Sequence, residues 1–145
     1  MKVKNRDSGF TLIELLVTIA IISVLVTLLM VNFIGVRQRG RDSQRKANLF
    51  QLQSALELYR SDVGSYPLTA SWPACGSPLS YNSAVYMQEV PCDPITDTGY
   101  TYTSDGTTYT IISCLENEQD SDRDDTVDSS CTAPTFPASF TLHNP

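Results

Sequence analysis

The side chains with the most chemical potential are carboxylates. Residues 116–128 hold Glu116, Glu118, Asp120, Asp122, Asp124, Asp125 and Asp128, with Arg123 as the only base. Asp120-x-Asp122-x-Asp124 places a carboxylate at every second position, as the first half of a calcium loop does. An EF-hand would then want Gly and, at its twelfth place, Glu; here Asp125 and Cys131 stand there, and no helices are expected to flank the run. Two readings stay open, a calcium-holding loop of another kind and a solvated acidic loop. Crowded carboxylates without a cation repel one another, which favours calcium, with Glu116, Asp120, Asp122, Asp124, Asp125 and Asp128 as candidate ligands. Catalysis finds little support. His143 is the only histidine and stands near the C-terminal end, with no nucleophile–base pair to be drawn around it. Acidic residues strung along one loop do not supply two opposed carboxylates for hydrolysis. The chain is read as non-enzymatic.

Four cysteines, Cys75, Cys92, Cys114 and Cys131, all lie in the later part of the chain. An even count without C-x-x-C spacing argues for disulfides in an oxidising compartment, not for zinc or a redox motif. Three pairings are possible. The sequential pairs Cys75–Cys92 and Cys114–Cys131 are favoured because each closes a local loop. A further acid, Glu14, stands at the head of residues 15–36, which contain no charge at all. As a helix that stretch would be about 33 Å long, enough to cross a hydrocarbon core of about 30 Å. A bare carboxylate at the centre of a bilayer costs on the order of 2.5–3.5 kcal/mol, less near its edge. Glu14 therefore sits at headgroup level or has a partner that neutralises it.

The elements that must position these groups follow from periodicity. Residues 10–62 read as one long helix. Its polar half carries Leu49, Leu52, Leu56 and Tyr59 at three- and four-residue spacing with Ala55 alongside, an apolar stripe that should form the core. Arg45, Lys46, Gln53, Glu57 and Arg60 are assigned to the opposite, solvated or intersubunit face. Val63-Gly64 and then Tyr66-Pro67 signal the helix end. Residues 64–98, rich in Pro, Ser and Tyr, read as a stapled loop. Residues 100–103 and 108–113 are β-prone and flank Asp105-Gly106, a hairpin signal, and residues 139–142 could add an edge strand. The expected class is α+β: a long helix packed on a small antiparallel sheet. About eighty residues beyond the helix make a marginal core, which explains the need for staples.

The formal net charge of −6 is unevenly spread. Lys2, Lys4 and Arg6 precede the apolar stretch, Arg37, Arg39, Arg41, Arg45 and Lys46 follow it, and the last third is acidic. No broad basic surface for nucleic acid is expected in the globular part. The excess of bases after the span would, by the positive-inside rule, hold the following domain in the cytoplasm. The cysteines say the opposite. If copies of the chain assemble, those arginines would face acidic groups on neighbouring subunits, which frees them from a topological role.

Gly9-Phe10-Thr11-Leu12-Ile13-Glu14 resembles the processing site of type IV pilins and type II secretion pseudopilins. A secretory signal would be cut after its apolar run; here the run lies behind the proposed cut and stays in the mature protein. The resemblance implies a leader at residues 1–9, cleavage between Gly9 and Phe10 by a prepilin peptidase, and N-methylation of Phe10. It further implies that Glu14, fifth in the mature chain, pairs with the terminal amine of Phe10 on a neighbouring subunit. Residues 10–36 would be the membrane-spanning and filament-core helix, and residues 37–145 the extracytoplasmic globular domain. Many family members have a proline at the position of Val31; here Val31 is followed by Asn32, with Gly35 nearby. The order of helix, Gly-x-Tyr-Pro turn, loop, Pro-x-Asp-Pro, hairpin and acidic loop resembles a major pseudopilin, a resemblance that also implies calcium in the C-terminal loop.

The implied function is a structural subunit of a type IV pilus-like filament, waiting in the cytoplasmic membrane and then polymerised to the cell surface or periplasm. Implied partners are further copies of itself, minor pilins or pseudopilins, the prepilin peptidase, a platform membrane protein and, indirectly, an assembly ATPase. The first alternative is the major pseudopilin of a type II secretion system. From another class, the rival is a membrane-tethered, calcium-dependent binding module that never polymerises.

Overall fold

A computed structural model describes residues 9–132 and 134–145, with the backbone alone for Val31 and Asn32. The proposed leader up to Ser8 lies outside the described residues. The chain divides after Val36 into two units, one ending there and one running from Arg37 to Pro145.

The first unit is the apolar half of helix α1, whose full bounds are Leu12–Val63. Helical hydrogen bonding runs through Val31 and Gly35 without a break. An 18-residue window reaches a mean hydropathy of 2.8 with none of it buried, long and apolar enough to cross a membrane. Its start is a capping box: the Thr11 amide and hydroxyl both donate to Glu14 Oε2 at 2.9 Å, and the Glu14 amide donates back to Thr11 Oγ1 at 3.3 Å.

In the second unit the apolar stripe of α1 is the core. Leu49, Leu52 and Leu56 are fully buried, with Ala55 and Tyr59 close behind. The helix stops where Gly64 takes a φ of 85° and its amide donates to the Arg60 carbonyl at 2.8 Å. A single 3-10 turn, Thr69–Ser71, follows.

The region read as loop contains a hairpin. Strands β1 (Leu79–Tyr81) and β2 (Ala84–Met87) pair antiparallel across Asn82-Ser83, with Asn82 at φ 48° and a register shift beside Leu79. Asn supplies the positive φ that a two-residue turn requires. Strands this short, in a stretch with five prolines between residues 64 and 98, carry little period-2 signal.

The main sheet is antiparallel in the order β3 (Thr101–Ser104), β4 (Tyr109–Leu115), β5 (Ala138–His143). This is the expected hairpin plus an edge strand. Its turn closes on Asp105, whose carboxylate accepts from the amides of Thr107 and Thr108 at 2.8 Å each, while Gly106 takes φ 91°. On β4, Tyr109, Ile111, Ser113 and Leu115 are buried and the residues between them only partly so. Their shared face joins the helix stripe in one core with Tyr66, Tyr102, Ala138 and Phe140. Tyr66 meets Tyr109 edge-on at 4.7 Å between centroids, and Trp72 stacks on Tyr102 at 4.0 Å.

The cysteines pair sequentially, Cys75 with Cys92 and Cys114 with Cys131, each across 17 residues. The first staple ties the β1–β2 region to the residues before β3. The second ties β4 to the acidic loop.

Candidate functional site

Two places gather functional side chains, one in each unit. In the first, Phe10 is 80% exposed and Glu14 caps its own helix through Thr11. The signal for that cap, T-x-x-E ahead of an apolar run, stands in the sequence, where the acid was assigned a partner on a neighbouring subunit and not one in its own helix turn.

The second is a charge cluster built on the stretch of α1 just ahead of the apolar stripe. Arg45, assigned to the solvated face, is fully buried. Its Nη1 donates to Asp42 Oδ1 at 2.8 Å and to Glu116 Oε1 at 2.7 Å. Its Nε and Nη2 donate to the two oxygens of Asp93 at 2.6 and 3.2 Å. The guanidinium also lies over the Phe136 ring, 5.1 Å from its centroid. Arg41 donates to both Glu116 oxygens, from Nε at 2.7 Å. Asp42, equally buried, accepts the amides of Glu116 and Asn117 at 3.0 and 2.8 Å. Lys46 donates to Asp120 Oδ1 and Oδ2 at 2.9 and 3.0 Å and to Asp122 Oδ2 at 2.8 Å.

The electrostatics follow. Burial would push the Arg45 guanidinium down, but its bonds to Asp93, Glu116 and Asp42 outweigh burial and raise it. Arg41, then Arg45, holds Glu116 below the usual carboxylate range against burial. Asp93 and Asp120 face a larger burial penalty, yet Arg45 and Lys46, with nearby backbone amides, still leave both lowered. A buried arginine is tolerable here only because paired carboxylates surround it.

These contacts correct two expectations. Arg41, Arg45 and Lys46 face carboxylates of their own chain, where neighbouring subunits had been expected. The face opposite the core is also different: Lys46, Gln53 and Glu57 are flanking positions more covered than open, and Ser43, Gln44, Ala47, Gln51, Ser54 and Leu58 are exposed with Arg60. Asp42, Arg45 and Asp93 were missed as a site. Their signal was spacing, since Asp42 and Arg45 precede Leu49, Leu52 and Leu56 at the same three- and four-residue intervals.

The acidic loop is distributed among several partners. Glu116, Asp120 and Asp122 go to bases. Asp124 accepts from Ser139 Oγ at 2.6 Å and Thr141 Oγ1 at 2.7 Å, and Asp128 accepts the Ser130 amide at 2.8 Å. Asp125 is exposed. Among the described residues no three acidic, histidine or cysteine side chains gather where one metal ion could sit. As placed, these carboxylates go to separate partners and do not converge on one point, as side-chain ligands around a calcium ion would.

Comparison with known proteins decides the family. The profile for type II secretion system (T2SS), protein G, matches residues 32–130, more than half of the chain. The chain belongs to the type II secretion protein G family. Ahead of that match, the prokaryotic N-terminal methylation motif matches residues 4–30, spanning Gly9, Phe10 and Glu14. The type II secretion system core protein G of Aeromonas hydrophila is 31% identical over 99 residues, 63% of this chain and 69% of that protein. Its counterpart in Vibrio cholerae is 28% identical over 118 residues, 77% of this chain and 80% of that protein. The type IV major pilin protein PilA of Myxococcus xanthus is 39% identical over 61 residues, 42% of this chain and 28% of that pilin. No solved structure matches. Membership of this family, with the apolar helix, fits anchoring in the inner membrane before assembly.

Proposed function

We propose that this chain is a structural subunit of a type IV pilus-like filament, and that the filament is the pseudopilus of a type II secretion system. The observation that carries the choice is where the protein G match falls. It covers residues 32–130, which take in most of the globular unit, whereas the methylation motif covers only the N-terminal segment that pilins and pseudopilins share. The surface pilus, the first reading from the sequence, becomes the second, favoured by the 61-residue similarity to PilA.

The mechanism is one of solvent exchange. The precursor sits in the cytoplasmic membrane with residues 10–36 in lipid, and a prepilin peptidase cuts between Gly9 and Phe10. A platform membrane protein, driven by an assembly ATPase, lifts subunits into a filament together with minor pseudopilins. There the apolar helices replace lipid with one another. Glu14 exchanges its bond to Thr11 for the amine of Phe10 on the adjacent subunit, which offsets the buried charge and fixes register. The tethered, non-polymerising module has no use for a free Phe10 amine.

Deleting the gene in its host separates the two filaments. Loss of exoprotein release with surface pili unchanged supports the secretion role. Loss of surface pili with release intact assigns the pilus.

A further inference from the structure

The acidic loop needs a cation, and α1 supplies one. The Lys46 ammonium has three N–H donors and makes three contacts, two to Asp120 at 2.9 and 3.0 Å and one to Asp122 at 2.8 Å. Lys46 and Asp120 are mostly buried, with 17% and 11% of their side chains exposed, while Asp122 is open at 58%. The loop closes on itself around this point: the Asp122 amide donates to Asp120 Oδ1 at 3.0 Å, and the Asp120 amide to the Asn117 carbonyl at 3.2 Å. On either side the loop is tied down by other means. Asp42 holds the amides of Glu116 and Asn117, and Asp124 caps the open edge of β5 by donating its amide to the Ser139 carbonyl at 2.8 Å while accepting the Thr141 amide at 3.2 Å.

We propose that Lys46 is the resident cation of the acidic loop, standing where a divalent metal would otherwise be required, so that the loop is ordered without calcium. A metal ion is drawn from the compartment and leaves when the compartment is depleted. An ammonium on the core helix cannot leave. Its neighbours also explain why two carboxylates, normally mutually repulsive, lie side by side in this loop. Folding of the loop is then tied to α1 itself, and its order does not vary with the divalent-ion content outside the membrane.

The test is hydrogen exchange on the full-length chain purified in detergent, read by mass spectrometry on peptides covering residues 117–123, in EGTA and in millimolar calcium chloride. The wild-type peptide should be equally protected in both, and calorimetry with calcium should show no saturable binding. Lys46→Met should lose that protection in EGTA while peptides from β4 stay protected, and Lys46→Arg should keep it. Faster exchange of the wild-type loop in EGTA, saturable calcium binding, or a Lys46→Met loop as protected as wild type would each overturn the assignment. Should Lys46→Met fail to fold, Asp122→Asn removes only the exposed arm of the same contact. Several-fold faster exchange at residues 117–123 is then expected in EGTA, and unchanged exchange contradicts it.

Discussion

At the scale of single residues, Arg45 matters most. It is a fully buried cation held by Asp42, Asp93 and Glu116, carboxylates from three separate parts of the chain. Removing one member of such a group leaves the others charged and unpaired, which costs about 3–5 kcal/mol. Arg45→Ala should therefore lower the melting temperature of the full-length chain, followed by circular dichroism, far more than Arg60→Ala at an exposed position. The same bonds set a pH response. Glu116, Asp93 and Asp120 are all held below ordinary carboxylate values, so the folded chain releases their protons more readily than the unfolded one. Their contribution is complete above the unfolded carboxylate pKa of about 4 and is lost as the pH falls through the lower folded values. Melting temperature should drop on the acid side of about pH 4. Glu116→Gln should lower it at neutral pH and make the acid-side drop shallower.

Among the elements, helix and sheet were legible and the charge cluster was not, for one physical reason. Leu49, Leu52 and Leu56 announce burial by type as well as spacing. Asp42 and Arg45 share the spacing, but a charged type reads as solvated until its partners are seen, and Asp93 and Glu116 lie 48 and 71 residues away from Arg45. The β1–β2 hairpin escaped for a different reason: Asn82-Ser83 lacks the Gly that makes such turns conspicuous. Both disulfides serve this cluster. Cys92 adjoins Asp93, and Cys114 stands two residues before Glu116, so each staple fixes a loop that brings a carboxylate to Arg45. Replacing Cys114 and Cys131 together with Ala should cost about 2–5 kcal/mol in thermal unfolding. Exchange should quicken across residues 116–131 before it does in β3.

For the whole molecule, the decisive feature is an apolar helical segment whose large side chains lie open among the described residues. Their exposure runs from 86% at Leu12 down to 44% at Val26, an apolar surface that calls for lipid or further copies to cover it. Family membership and the methylation motif indicate which comes first and which follows. In the proposed assembly, Glu14 is what distinguishes an assembling helix from a plain anchor. Glu14→Ala should leave subunits membrane-inserted and unassembled, as read by membrane fractionation against recovery of sheared filaments. Normal filament yield from that variant would remove its role in register. The proposed cleavage, which would create the amine that Glu14 is to pair with, can be read directly, by intact mass and N-terminal sequencing of the protein taken from its native membrane. The account predicts a chain that begins at N-methylated Phe10. A chain still beginning at Met1, in cells whose prepilin peptidase is active, would contradict it.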